Sequence, residues 1–214
     1  CPACNSPIIR EEESAAWLCP NTHCKAKKLE QLQYFVSKAA LDVDGFGREI
    51  MKLFYEKGFV NSRVDIFCLH ARREELIVLE GLGPKSIDKL IAAIESSRKQ
   101  SLWRQIVSLG IPLVGPQTAK AIIKHLKLRT LEELSFLTLD RLVEIHDVGE
   151  KVSQSIIDFS SDLNSSQELK ELSACFDNKN ASNPESVSSE LLASKRVVVT
   201  GSFNFASRNE IKEF

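Results

Sequence analysis

The chain has no apolar run approaching the roughly 18 residues of a membrane-spanning segment. Nothing in it resembles a secretory leader. It carries almost no net charge: 28 Lys and Arg stand against 29 Asp and Glu over 214 residues, a formal −1. That balance excludes a protein that holds nucleic acid by bulk positive charge. Cysteine is scarce outside one cluster. Four of the six cysteines fall in the first 24 residues, and Cys68 and Cys175 lie alone in unrelated segments. Such usage fits a reducing cytosol better than an oxidising compartment. Cys68, in Asp-Ile-Phe-Cys-Leu, reads as a core residue, and Cys175 lies near an expected domain end.

The cluster is Cys-Pro-Ala-Cys (Cys1, Cys4) followed by Cys-Pro-Asn-Thr-His-Cys (Cys19, Cys24). Each short pair forms a tight knuckle, and the stretch between them returns as a hairpin. This spacing presents four thiolates to one tetrahedral zinc. About 24 residues cannot bury a useful core, so the metal must supply folding free energy, on the order of 10–16 kcal/mol. Four protein ligands leave no open position for substrate, which makes the zinc structural. His23 inside the second knuckle is an alternative ligand to Cys24, and a pair of disulfides is the alternative to zinc.

Beyond the finger the apolar period is helical almost to residue 160. It runs through Leu32, Phe35 and Val36, then Ile87, Leu90, Ile91 and Ile94, then Ala119, Ile122, Ile123 and Leu126, then Val152, Ile156 and Phe159. Thr130-Leu-Glu-Glu133 reads as a capping box opening a helix, and Thr138 as the N-cap of the next. From about Ser160 the period weakens. Residues 161–190 carry 2 Lys and Arg against 6 Asp and Glu and read as an acidic, polar linker. Lys195-Arg-Val-Val-Val-Thr-Gly201 then reads as a buried strand, with a helix starting near Ser207. One strand and part of a helix cannot make a domain, so 191–214 is expected to be the start of a module cut short.

Four segments share a layout of helix, tight glycine turn and helix. They are Leu41-Asp-Val-Asp-Gly45-Phe-Gly47, Val78-Leu-Glu-Gly81-Leu-Gly83-Pro84, Ser108-Leu-Gly110-Ile-Pro-Leu-Val-Gly115-Pro116 and Val143-Glu-Ile-His-Asp147-Val-Gly149. Their last glycines are separated by 36, 32 and 34 residues. A reversal in about two residues needs positive φ. The apolar residue between (Phe46, Leu82, Val114, Val148) tucks back between the helices. The second glycine lets another backbone come close and opens a helix whose first amides lack partners. Pro84 and Pro116 stand where a first-turn proline is favoured. Amides at a positive dipole end form an anion site. Repeated on one face, such sites hold successive phosphates of a duplex without reading bases. Lys85, Lys89, Lys120, Lys124 and Lys151 flank the turns and are expected to add phosphate contacts.

With the zinc finger before them and Val199-Thr-Gly201 after them, these helix-hairpin-helix segments resemble the C-terminal part of a bacterial NAD-dependent DNA ligase. The resemblance covers essentially the whole chain. Its more specific pieces include Phe35-Val-Ser-Lys-Ala-Ala-Leu-Asp-Val-Asp-Gly-Phe-Gly47. It implies a mainly α architecture: a Cys4 finger over 1–30, four hairpins over 31–160, the linker, and an incomplete BRCT-like start over 191–214. It implies zinc ligation by Cys1, Cys4, Cys19 and Cys24. It implies duplex-backbone contacts from Gly45, Gly47, Gly81, Gly83, Lys85, Gly110, Gly115, Lys120, Gly149 and Lys151. Thr200 and Gly201 are its candidate phosphate contacts. The sequence departs from the family at Lys25-Ala26-Lys27, where Pro-Ala-Gln is usual, and at Leu113 and Asp147, where the turn's first glycine is usual. The family's adenylating Lys-x-Asp-Gly motif and its OB-fold do not occur here, so no catalytic residue is assigned.

The resemblance therefore implies a monomeric, bacterial, cytoplasmic fragment, inactive alone. It clamps nicked duplex for an enzyme that uses NAD and Mg elsewhere in its chain to seal nicks in replication and repair. Two rivals stand beside it. One is a stand-alone hairpin DNA-binding protein or repair-nuclease accessory module. The other is a helical scaffold that binds a partner protein. The strand left without a sheet near Phe214 favours the first reading.

Overall fold

The finger is a two-residue antiparallel hairpin. β1 (Ile9–Arg10) pairs with β2 (Trp17–Leu18), with Ile9 opposite Leu18 and Arg10 opposite Trp17. All four of these residues are exposed, so no apolar core supports the hairpin. The computed structural model describes residues 1–10, 17–146 and 148–177, all within one unit, Cys1–Ala181. The expected strand at 195–201, the helix after it, Asp147, Thr200 and Gly201 lie outside the described residues.

The finger passes directly into helix. Cys24 is buried and is the N-cap of α1 (Lys25–Val36), accepting from the Lys28 amide at 3.0 Å. Leu32, Phe35 and Val36 bury one face of α1, as their spacing predicts. α2 (Arg48–Glu56) completes the first hairpin. The second joins α3 (Arg63–Cys68), a 3-10 turn (Leu69–Arg72) and α4 (Arg73–Leu76) to α5 (Pro84–Ser97). The third is α6 (Leu102–Ser108) and α7 (Pro116–Leu126). The fourth is α8 (Leu139–Val143) and α9 (Glu150–Ser161). A 3-10 turn, Glu132–Phe136, lies between the last two hairpins. No helix among the described residues is long and apolar enough to cross a membrane. These short helices are marginal alone. They are held by a shared core in which Phe35, Phe54, Phe67, Met51 and Leu41 are fully buried.

The linker expected from residue 161 gives way, over Leu163–Cys175, to a further helix, α10. Asp162 caps it, accepting from the Ser165 amide at 2.9 Å. Leu169, Leu172 and Phe176 are buried, and the Phe176 ring meets Phe67 edge-on at 5.3 Å. Glu168 on α10 pairs with the buried Arg63 of α3, whose second terminal nitrogen donates to the Leu109 carbonyl at 3.0 Å. The helix is hard to see in sequence because its buried apolar stripe is only Leu169 and Leu172, with Phe176 just past its end, and most of its other positions are polar.

Two local expectations change. The Thr130 segment opens the 3-10 turn rather than an α-helix. Glu133 accepts from the Arg129 amide and the Thr130 hydroxyl, so the reciprocal box is not made. Thr138 is the N-cap of α8, as the sequence indicates, with extended backbone and no side-chain capping bond. A full capping box occurs instead at Ser62 and Asp65, which opens α3. Cys68 is exposed rather than in the core.

Candidate metal centre and nucleic-acid interface

The four N-terminal cysteine sulfurs all lie within 4.8 Å of one another. Cys1 and Cys24 are 3.9 Å apart, and Cys4 and Cys19 are 3.5 Å apart. A tetrahedral zinc with bonds of about 2.3 Å sets its sulfurs about 3.8 Å apart. The cluster therefore fits zinc, and none of the six cysteines is in a disulfide. Asn5 takes φ +56° to close the first knuckle, and its amide donates to the Cys1 carbonyl at 2.8 Å. Hydrogen bonding with the Ser6 side chain and backbone holds the Cys4 thiol at about 6. Burial pushes Cys19 upward. His23 is exposed and is not part of the sulfur cluster, in which Cys24 is the fourth residue.

The four turns are built alike. In each, the amide of the central apolar residue donates to the carbonyl three residues earlier. Phe46 bonds to Val43, Leu82 to Leu79, Val114 to Ile111 and Val148 to Ile145, at 3.0–3.2 Å. Phe46, Val114 and Val148 are buried and Leu82 is half-buried, which pins each turn to its helix pair. In the first three turns the third residue takes positive φ: +79° at Gly45, +80° at Gly81 and +65° at Leu113. This is a type II turn, which favours glycine at that point. Leu113 adopts it at a steric cost of about 1 kcal/mol.

The second glycine is different. Gly47, Gly83, Gly115 and Gly149 are the N-caps of α2, α5, α7 and α9, with φ between −69° and −105° and extended ψ. Any residue adopts that backbone. A Cβ added at any of them would meet nothing within 4 Å. The fold of the described residues therefore does not require glycine there, and among them no second backbone makes the close approach expected from the sequence. N-caps elsewhere prefer Ser, Thr, Asp or Asn, which satisfy the helix's free amides. Here the glycine amides themselves have no acceptor among the described residues. Gly110 is a separate case. It ends α6 at φ +70°, and a Cβ there would lie 3.5 Å from the Tyr34 ring. It is a helix-terminating glycine and not part of the turn tip.

The first and third turns each meet a helix of the following hairpin. Lys89, six residues into α5, bonds Asp44 in the first turn at 2.8 Å. Ser155, six residues into α9, donates to the Pro112 carbonyl in the third turn at 2.8 Å. The second and fourth hairpins thus lean on the first and third at equivalent positions, a twofold repeat of a hairpin pair. Lys85, Lys120 and Lys151 are exposed beside their turns.

Two signals were missed in the sequence. Asp44 and Lys89 hold each other, and the Lys89 contact keeps the Asp44 carboxyl below its usual range. Residues 96–131 contain seven Lys and Arg and no Asp or Glu, so the segment around the third hairpin is strongly basic within a nearly neutral chain. A sliding charge count finds it, whereas the near-zero net charge of the whole chain hides it.

Residues 1–26 match the NAD-dependent DNA ligase C4 zinc finger domain, and residues 104–169 match the helix-hairpin-helix motif. A DNA ligase of Halalkalibacterium halodurans is 34% identical over 218 residues, covering 100% of this chain and 32% of the relative. A DNA ligase of Anoxybacillus flavithermus is 37% identical over 216 residues, with 100% and 31% covered. One from Chloroflexus aggregans is 36% identical over 211 residues, with 98% and 30% covered. The chain thus spans about a third of the length of these curated relatives. The finger and the hairpins, in this order and across this whole span, place the chain in the NAD-dependent DNA ligase family, of which it carries the zinc-finger and helix-hairpin-helix portion.

Proposed function

We propose that this chain grips duplex DNA by its sugar-phosphate backbone, without reading sequence, as the clamping part of a ligase that seals nicks in replication and repair. One observation carries the reading. Four helix N-caps are glycine although neither backbone conformation nor packing asks for it. A side chain there would stand beside the free glycine amide at the start of each helix, where in α5 and α7 Pro84 and Pro116 carry no N–H of their own. Glycine keeps that approach open to a phosphate, which those amides and the helix dipole would bind. The equivalent contacts of Lys89 with Asp44 and of Ser155 with Pro112 support the idea that both hairpin pairs address one duplex.

The remaining roles follow. Cys1, Cys4, Cys19 and Cys24 hold a structural zinc that fixes the finger against α1. Gly45, Gly47, Gly81, Gly83, Gly115 and Gly149 line the phosphate approach, with Lys85, Lys120 and Lys151 beside it. The NAD and Mg chemistry belongs to the rest of such an enzyme, and no residue described here takes a part in it. The chain alone is a monomer that binds nicked duplex and does not seal it.

Fluorescence anisotropy with intact and nicked duplexes across a salt series tests this. Binding with a log–log salt slope near −3, from about three phosphate-paired lysines, is expected. Equal affinity for unrelated sequences is also expected. No binding at low salt would leave the partner-protein scaffold as the better reading.

A further inference from the structure

We propose that Trp103 is a positioning residue for phosphate recognition: its indole holds the Lys120 ammonium beside the third turn without neutralising it, which makes the third hairpin the strongest electrostatic contact of the four. The proposal rests on the duplex-binding reading.

The Lys120 nitrogen lies 4.7 Å from the centre of the Trp103 ring. Trp103 is on α6 and Lys120 on α7, so the contact spans the two helices of one hairpin. The ring is half-buried and the lysine exposed. A second cation fixes the ring: the Arg104 guanidinium lies 4.9 Å from its centre. Arg104 in turn donates to the Lys38 carbonyl at 3.2 Å and the Ala40 carbonyl at 2.8 Å, just ahead of the first turn. The aromatic surface is thus anchored to the scaffold.

The other hairpins differ in kind. Lys89 is paired with Asp44 across the first two turns. Glu80 precedes Gly81 in the second turn, and Glu150 opens α9 of the fourth hairpin. A carboxylate orders a lysine by cancelling its charge and competing with an incoming phosphate. An aromatic face orders the ammonium through the ring quadrupole and leaves the full charge for a phosphate. Among the described residues no carboxylate pairs with Lys120, and the third hairpin lies in the acid-free stretch 96–131. Ordering the side chain beforehand removes part of the entropy cost of contact.

The test is a double-mutant cycle on the zinc-loaded 214-residue chain, with intact duplex as the probe. Trp103→Leu is expected to weaken binding about two- to fivefold. Trp103→Phe, which keeps a weaker ring, should fall between Leu and the parent. Lys120→Gln should flatten the salt slope by about 0.9, and more than Lys89→Gln does. In the Lys120→Gln background, Trp103→Leu should cost nothing further. If Trp103→Leu loses its helical circular dichroism, Trp103→Phe carries the cycle. Parent-like binding by the Trp103 variants, or a loss that persists without Lys120, overturns the proposal. A parent chain that fails to bind duplex overturns the duplex reading instead, and this arm is read before any variant.

Discussion

Changing Gly83 to alanine or serine separates the needs of the fold from those of the ligand. At Gly83 φ is −105° and ψ 169°, an extended backbone open to any residue. The added Cβ would meet nothing within 4 Å. Alanine restricts the unfolded chain, a gain of about 0.4–1 kcal/mol, and loses some N-cap preference, a cost of similar size. The net change in stability should lie within about 0.5 kcal/mol. Serine should be neutral or stabilising by a few tenths of a kcal/mol, because its hydroxyl caps the free amides. Binding should move the other way. The new side chain blocks the approach to the Gly83 amide and removes one charge-assisted hydrogen bond, about 1.5–3 kcal/mol. That is roughly a 10- to 100-fold loss of affinity per site. Gly45→Ala and Gly81→Ala are the contrast. At φ +79° and +80° each should cost about 1–2 kcal/mol of stability. Thermal melts and anisotropy titrations of the four variants read both axes. If Gly83→Ser lowers the melting temperature by several degrees, or binds duplex as the parent does, the reasoning from the empty Cβ positions is wrong.

Arg63→Ala leaves Glu168 and the Leu109 carbonyl without their partner at a buried junction of three segments. It should cost about 3 kcal/mol and roughly 6–12 °C in Tm, measured by circular dichroism. Asp44→Asn frees Lys89 and removes a negative charge from the first turn, so duplex affinity should rise and the salt slope steepen; unchanged binding would place that tip away from the phosphates. The Asp44 carboxyl is held down by Lys89. Its contribution to stability is therefore present above the unfolded carboxylate pKa near 3.8 and is lost as pH falls through the lower folded value. In acid titrations, Asp44→Asn should narrow the fall in stability below about pH 4. Chelating zinc should release the finger while most helical circular dichroism persists, because the buried hydrophobic cluster extends from Leu32 to Phe176; collapse of the whole helical signal would mean that the finger holds the hairpins together.

The convergence of the four thiolates was legible in the cysteine spacing by itself, since two knuckles and a return hairpin bring Cys1, Cys4, Cys19 and Cys24 together. The glycine turns were equally legible, because positive φ and a helix N-terminus leave a local signature at Gly45 and Gly81. α10 was not legible, as its stripe of Leu169, Leu172 and Phe176 acquires meaning only against Phe67 and Arg63, more than a hundred residues away. Nor was the division of labour among the glycines. Sequence set Gly110 beside Gly115, yet one ends a helix under Tyr34 and the other opens one into empty space. The contacts of Lys89 with Asp44 and of Lys120 with Trp103 were likewise decided by packing, because the nearest opposite charge or ring in the chain is a matter of which helices touch. Local conformational cost is written in the order of residues; partnership between distant side chains exists only once the core has brought them together.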